Sequence, residues 1–238
     1  MTEHEPRHFG EELEELKNRL LTMGHLAEDQ LRRAMSALVE RDGARLTQMA
    51  VRDVRVDDLQ IEIDERCVRM LALRQPVAGD LRTIVSALKI NADLHRVSAL
   101  TVNIAQAGQR YLRHPPVKPL IDLPRMGVHA LGMLRQALDS FVSRNVAPAI
   151  EVLKKDEWLD GLKDQIFREL LTYMLGNSAT IEPAVDLILI ARHLERVGDH
   201  ATNIAEDVIF IVEARDIRHR SQSPATFERR RTSDAAPI

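Results

Sequence analysis

The sequence predicts an all-α protein made of two tandem, pseudo-repeated three-helix bundles, with six long antiparallel helices in total. Aromatic residues make up only 3% of the 238 residues, while Leu, Ala, Val, Arg and Glu dominate, a profile that favours packed helices over sheet. Apolar residues recur at the i, i+3, i+4, i+7 spacing of a buried helix face. The chain also repeats itself at an offset of about 100 residues, which indicates two similar units in tandem.

Glycine, proline and polar breaks separate the predicted helices. They run over about residues 13–38, 46–73, 76–112, 124–143 and 147–175, and from the break "GNSATIEP" (176–183) to about 214. Pro76 is placed as a first-turn proline of the third helix. The predicted segments are a flexible N-terminus (1–8), a first bundle (9–113), a linker (114–118), a second bundle (119–216) and a disordered tail (217–238).

The repeat relates particular residues of the two halves. An offset of 103 residues pairs Met23-Gly24 with Met126-Gly127, and the alignment of the two halves needs no gap from residue 23 to residue 70. A three-residue deletion then changes the offset to 100, which aligns "LHRVSALTVNIAQ" (94–106) with "LERVGDHATNIAE" (194–206). Short connections make neighbouring helices antiparallel, so each unit is predicted to be an up-down-up bundle.

Three acidic pairs have i, i+4 spacing, which places both side chains on one helix face. They are Asp53 and Asp57, Asp156 and Asp160, and Glu195 and Asp199. The last two pairs lie at similar distances before and after one turn, so antiparallel packing brings four carboxylates together. Such a group repels itself unless a cation neutralises it, and oxygen ligands suit hard cations such as Mg, Mn or Fe.

The first bundle is predicted to have a weaker or remodelled site. His95 and Ala99 stand where the second bundle has Glu195 and Asp199. His95 could still ligate a metal, whereas Ala99 could not. His193 and His200 are not predicted to be ligands, because helical spacing points them away from the face that carries Glu195 and Asp199.

Other interpretations remain open for the acidic pairs. A single pair is more often a solvated helix face, and all six acids could belong to a purely structural scaffold. A di-iron carboxylate oxidase would need Glu-x-x-His motifs on two inward-facing helices, and the only match is Glu5–His8. The sequence contains no motif that resembles a Ser-His-Asp triad, a cysteine nucleophile or a phosphate-binding glycine loop. It therefore predicts a protein that is not an enzyme.

The bulk composition restricts the remaining possibilities. A formal net charge of −3 argues against nucleic acid as the main partner. Cys67 is the single cysteine, so neither an internal disulfide nor a cysteine metal site is possible, and a reducing cytoplasm is expected. No signal-peptide pattern and no stretch long and apolar enough for a membrane span is found.

The chain resembles the PhoU family, accessory proteins of the bacterial high-affinity phosphate transport system. The resemblance rests on "HFGEELEELKNRLLTMG", "IDERCVRMLALRQPVAGDLR", "LTYM" and "ARHLERVGDHATNIAED". It implies two three-helix bundles whose E/D-x-x-x-D motifs bind metal ions or multinuclear clusters of Fe, Mg, Mn or Zn. The three acidic pairs match these motifs, and His95 and Ala99 depart from them.

The resemblance also implies a regulatory role. Family members contact the ATPase subunit of the phosphate transporter and a membrane sensor histidine kinase, repress the phosphate-starvation regulon and restrain phosphate uptake. They are usually cytoplasmic homodimers, peripheral at the inner membrane through these partners. Asp80 and Arg82, in the first turns of the third helix, are either a favourable match to the helix dipole or a partner contact. The basic segment "FERRRTSD" (227–234) is interpreted as solubilising, with anionic lipid or the transporter as alternative contacts.

Overall fold

The computed structural model describes the backbone of residues 4–218 and the side chains of residues 9–218, and over that range it contains helices and no strand. The helices are α1 (His4–Val39), α2 (Gly43–Met49), α3 (Val54–Arg74), α4 (Ala78–Tyr111), α5 (Asp122–Ser143), α6 (Val146–Gly176) and α7 (Ile181–Glu213). A 3-10 turn (Ser178–Thr180) joins the last two. The predicted all-α fold of two tandem bundles is confirmed. Within residues 4–218, every helix falls short of the combination of length and hydrophobicity needed to traverse a bilayer.

The ends of the chain lie partly outside the described range. The backbone of α1 already begins at His4, inside the segment 1–8 that was predicted to be flexible. Of the predicted tail at 217–238, only residues 217 and 218 are described, so the basic segment "FERRRTSD" lies outside the described residues.

The second predicted helix is two helices, which corrects the single span 46–73. The chain breaks after α2 and restarts at α3, because the side chain of Asp53 accepts the backbone N–H of Arg55 and caps the new helix. The turn after α1 places its positive φ at Arg41 (55°), and Gly43 begins α2. Pro76 likewise precedes α4, which begins two residues later at Ala78.

The two bundles pack against each other mainly through α4 and α7, the most extensive interface between helices. Arg110 near the end of α4 donates to Asp186 near the start of α7 at 2.8 Å. Lys89 near the start of α4 donates to Asp207 near the end of α7 at 3.0 Å. These two contacts make the helices antiparallel, and both aspartates are buried.

The repeat is visible in the packing of α1 against α5. A Cβ on Gly24 would lie 2.5 Å from Leu138 Cδ1, and a Cβ on Gly127 would lie 3.0 Å from Met35 Cγ. The offset of 103 relates Gly24 to Gly127 and Met35 to Leu138, so each bundle places a large side chain over the glycine of the other. One continuous cluster of buried apolar side chains therefore runs through both bundles.

Two glycine substitutions are expected to have opposite effects on the free energy of unfolding. Gly132 is exposed within α5 and has no atom within 4 Å of an added Cβ, so Gly132→Ala should raise stability by about 0.5–1 kcal/mol. A Cβ on Gly198 in α7 would lie 2.3 Å from Leu159 Cδ2, so Gly198→Ala should lower stability by about 1–3 kcal/mol through overpacking. Urea denaturation measures both effects, and stabilisation by Gly198→Ala would contradict the close packing of α6 and α7.

Candidate metal centre

The four acids of the second bundle come together between α6 and α7. Asp156 and Asp160 extend from α6, and Glu195 and Asp199 extend from α7. Burial and the charges of Asp199, Asp160 and Glu195 raise the pKa of Asp156 to about 6. Burial, followed by the charges of Glu195 and Asp160, also raises the pKa of Asp199. The structure thus places these carboxylates within electrostatic reach of one another.

Asp156 has an unsatisfied oxygen at this site. Its Oδ1 atom is buried and has no hydrogen-bond partner. A buried carboxylate oxygen without a partner is unfavourable unless a proton, a water or a cation compensates it. Asp156 is therefore the acid of this cluster that most requires compensation.

Lys163 supplies positive charge at the cluster. Its Nζ donates to Glu195 Oε1 at 3.0 Å and lies 3.8 Å from Asp160 Oδ1. The hydrogen bond to Glu195 raises the pKa of Lys163 and keeps the ammonium charged. The sequence interpretation missed this residue, although its position three residues after Asp160 places it on the same face of α6.

The carboxylate oxygens of the cluster suit a hard cation, but they do not converge on a common point in this structure. Four carboxylates face one ammonium, and the orphaned Oδ1 of Asp156 is a free ligand atom. Between residues 9 and 218, no three His, Cys, Asp or Glu side chains stand close enough together to hold a metal ion. Cation binding at these residues therefore requires the carboxylates to turn toward a common point.

Gly198 allows α7 to lie close to this part of α6. The position of its missing Cβ is 3.5 Å from Asp156 Oδ1 and 3.6 Å from Met133 Cε. A side chain here would occupy the space beside the unsatisfied oxygen. The glycine thus both permits the close packing and leaves Asp156 without a hydrogen-bonding neighbour on α7.

In the first bundle, Asp53 differs from its counterpart Asp156. Asp53 precedes the first residue of α3, so it does not share a helix face with Asp57 as the spacing predicted. Its carboxylate accepts hydrogen bonds from Arg55 and from Gln30 Nε2, the latter at 3.0 Å. Ser98 Oγ completes the chain by donating to Gln30 Oε1 at 2.7 Å.

These hydrogen bonds stabilise the charged form of Asp53. The side chain of Arg55 is the main reason that the pKa of Asp53 falls to about 2. By the repeat, the positions of Gln30 and Ser98 correspond to Met133 and Gly198, neither of which offers a polar side chain. The two equivalent aspartates therefore have opposite environments.

Asp57 is also paired within the first bundle. His95 Nε2 lies 2.9 Å from Asp57 Oδ1, so the histidine contacts the acid that it was predicted to assist. Ala99 contributes no donor atom. Both acids of this bundle thus have protein partners, and the weaker or remodelled metal site stays a prediction.

The capping role of Asp53 has a measurable consequence. Asp53→Ala should lower the free energy of unfolding at pH 7 by about 1 kcal/mol, the usual cost of losing an N-cap. The folded pKa lies below the ordinary value of 3.8, so the wild-type advantage is present above pH 4 and should fade as the pH drops toward 2. Denaturation curves of both proteins measure this difference, with Asp53→Asn as the control that retains a capping side chain.

Asp80 and Arg82 lie at the start of α4, away from the four-carboxylate cluster. Asp80 is in the first turn of the helix, where its charge is favourable to the dipole. Arg82 Nε donates to the carbonyl of Ile211 at 3.4 Å, near the end of α7. Arg82 therefore contributes to the packing of the two bundles, and the predicted partner contact stays a prediction.

Comparison with known proteins places these features in one family. The PhoU domain pattern matches residues 20–108 and again residues 123–208, once in each bundle. The chain belongs to the PhoU family. A relative from Caulobacter vibrioides, named phosphate-specific transport system accessory protein PhoU homolog, is 40% identical over 94% of this chain and 97% of its own length. The accessory protein PhoU of Escherichia coli K12 is 32% identical over 92% of this chain and 91% of its own length.

Solved structures of PhoU proteins have the same fold. PhoU from Pseudomonas aeruginosa superposes with a TM-score of 0.84 at 35% identity, covering 87% of this chain and all of that chain. The phosphate transport system regulatory protein PhoU from Streptococcus pneumoniae superposes with a TM-score of 0.80 at 27% identity, covering 88% of this chain and 99% of that chain. The likeness to PhoU proteins thus includes both bundles.

Proposed function

We propose that this chain is a regulatory accessory protein of phosphate-specific transport. When phosphate is plentiful, it represses the phosphate-starvation regulon and restrains uptake by linking the ATPase subunit of the transporter to a sensor histidine kinase. The observation that carries the proposal is the likeness, over nearly the full length of both bundles, to proteins named as accessory proteins of this transport system.

The proposal includes a metal ion at the second bundle. Asp156, Asp160, Glu195 and Asp199 would hold a divalent or trivalent cation, with Fe, Mg, Mn and Zn as candidates. The unsatisfied Asp156 Oδ1 and the mutual repulsion of the acids support it. A bound cation would supply the positive charge that one lysine provides only in part, and Lys163 would orient Glu195.

The first bundle is proposed to work without this cation. Asp53 and Asp57 already have hydrogen-bonding partners, and His95 is one of them. The protein is proposed to act without catalysis and without nucleic acid. Its proposed setting is the cytoplasm, as a homodimer held at the inner membrane by its partners, with Asp80 and Arg82 as one contact. Purified protein that consumes oxygen or peroxide would favour a carboxylate-bridged metalloenzyme.

Deletion of the gene tests the regulatory proposal. We expect alkaline phosphatase activity in phosphate-rich medium to rise by about tenfold or more, because loss of the accessory protein releases the kinase from its repressed state. A plasmid copy of the gene should restore repression, and an empty plasmid is the control. Unchanged repression after deletion would contradict the proposed role, whether or not the purified protein binds metal.

A further inference from the structure

A groove of about 510 Å³ lies between α4 and α7, beside the four-carboxylate cluster and separate from it. Its lining consists of Lys89, Ala92, Asp93, Asn203, Glu206, Asp207 and Arg218. Neither the candidate metal centre nor the family comparison accounts for it. The groove lies where the described chain stops, so its charge indicates whether the residues that follow could bind in it.

Most of the charges in the groove are paired, and one is left over. Lys89 donates to the buried Asp207 at 3.0 Å. Asp93 lies 2.7 Å from His200 Nδ1 and accepts a hydrogen bond from Asn203 at 3.2 Å. Glu206 is half-buried, and no residue of the described chain makes a hydrogen bond or ion pair with its carboxylate. Burial and the neighbouring Asp207 raise the pKa of Glu206 to about 7.

The chain itself leads into this groove. After α7 ends at Glu213, Ala214 adopts a left-handed conformation (φ 55°), and the following residues bring Arg218 to the groove wall. The guanidinium of Arg218 is bonded to Asp216 at 2.9 Å, so much of its charge is already neutralised. The groove therefore retains negative charge at the point where the described chain stops.

The remaining 20 residues carry the complementary charge. Residues 219–238 contain four arginines, at 220, 229, 230 and 231, against the two acids Glu228 and Asp234. An extended chain covers up to ~3.3 Å per residue, so the cluster at 229–231 has a reach of up to ~36–43 Å from Arg218. The groove spans only about one and a half helical turns of α7, so the arginines are within reach of it.

We propose that the arginine cluster at 229–231 docks in the groove between α4 and α7 of its own molecule, where it pairs with Glu206. The occupant is the C-terminal segment of this chain, because its length, its starting point and its charge all suit the groove.

Limited proteolysis of the full-length protein tests the docking. Chymotrypsin cleaves after Phe227, next to the arginine cluster, and mass spectrometry follows the released fragment. We expect this bond in the protein to be cut about five- to tenfold more slowly than in a synthetic peptide of residues 219–238, because cleavage requires the undocked state. Salt at 1 M should remove most of the protection, since it shortens the Debye length to about 3 Å.

Two variants and one control locate the contact. Glu206→Lys should bring cleavage at Phe227 to the peptide rate, and Glu65→Lys, an exposed acid on α3, should leave the protection intact. The triple variant Arg229→Ser, Arg230→Ser, Arg231→Ser should lose the protection without any change to the folded part, with the matching peptide as its reference. Cleavage of the wild-type protein at the peptide rate would overturn the proposal. Protection that rises with protein concentration would also overturn it, because the tail would then be docking on a second copy.

Discussion

Substitution of the four acids Asp156, Asp160, Glu195 and Asp199 by their amides is expected to abolish the stabilisation of this protein by metal ions. A ligand that binds only the folded state at 100 times its Kd stabilises that state by about 2.7 kcal/mol. For a chain of this size, that energy corresponds to a shift of about 5–10 °C in the midpoint of thermal unfolding. The wild-type protein should show this shift on addition of Mg²⁺, Mn²⁺ or Fe²⁺, and the variant should show none.

The matched control lies in the first bundle. Asp53→Asn and Asp57→Asn change the equivalent acids, but their carboxylates are already bonded to Arg55, Gln30 and His95. The metal-induced shift should therefore persist in this double variant. Thermal melts with and without chelator give the shift, and elemental analysis of protein purified without chelators gives the bound metal. Equal loss of metal in both variants would contradict the assignment of the site to the second bundle.

Much of the fold could be predicted from the repeat. The offset of 103 residues pairs Gly24 with Gly127, and the structure shows both glycines in equivalent contacts between α1 and α5. The antiparallel hairpin of the second bundle follows from its short connection, and it brings Asp156 and Asp199 within electrostatic reach of each other. These features are predictable because helical periodicity and antiparallel packing depend on spacing along the chain.

The parts of the site that were missed depend on contacts between distant residues. Apolar periodicity continues across the break between α2 and α3, so it does not show that Asp53 is a helix cap. Gln30 and Ser98 are 68 residues apart, and only the packing of α1 against α4 makes them neighbours. Lys163 could not be assigned from the acidic spacing alone, because its hydrogen bond to Glu195 joins α6 to α7 across 32 residues of sequence.

The contrast between Asp53 and Asp156 results from small differences in their surroundings. Both occupy the same position in the repeat, and yet the pKa of Asp53 falls to about 2 while that of Asp156 rises to about 6. Asp53 is surrounded by hydrogen-bond donors, whereas Asp156 is partly buried and is surrounded by other negatively charged carboxylates. The repeat preserves the aspartate in the sequence, whereas Asp53 is a helix cap and Asp156 lies within α6, and this backbone difference together with the neighbouring side chains determines how each charge is compensated.

Asp156→Asn is therefore expected to stabilise the metal-free protein at neutral pH. For a carboxyl group with a raised folded pKa, stability is fully present below the unfolded pKa of 3.8 and is lost as the pH rises through about 6. The amide avoids this loss because it carries no charge. A shift of two pKa units corresponds to roughly 2.7 kcal/mol, and partial exposure of Asp156 to solvent reduces the expected gain to about 1–2 kcal/mol.

Urea denaturation of the chelator-treated proteins at pH 4 and pH 8 measures this gain. The variant and the wild type should have similar stability at pH 4, where Asp156 is largely protonated in the folded state, and the variant should be more stable at pH 8. Saturating metal should reverse the order, because only the wild type retains the charged carboxylate that binds a cation strongly. Asp53→Asn is the control, since the low pKa of Asp53 gives it no such penalty between pH 4 and pH 8. A wild type that is more stable than Asp156→Asn at pH 8 without metal would show that Asp156 is already compensated within the protein.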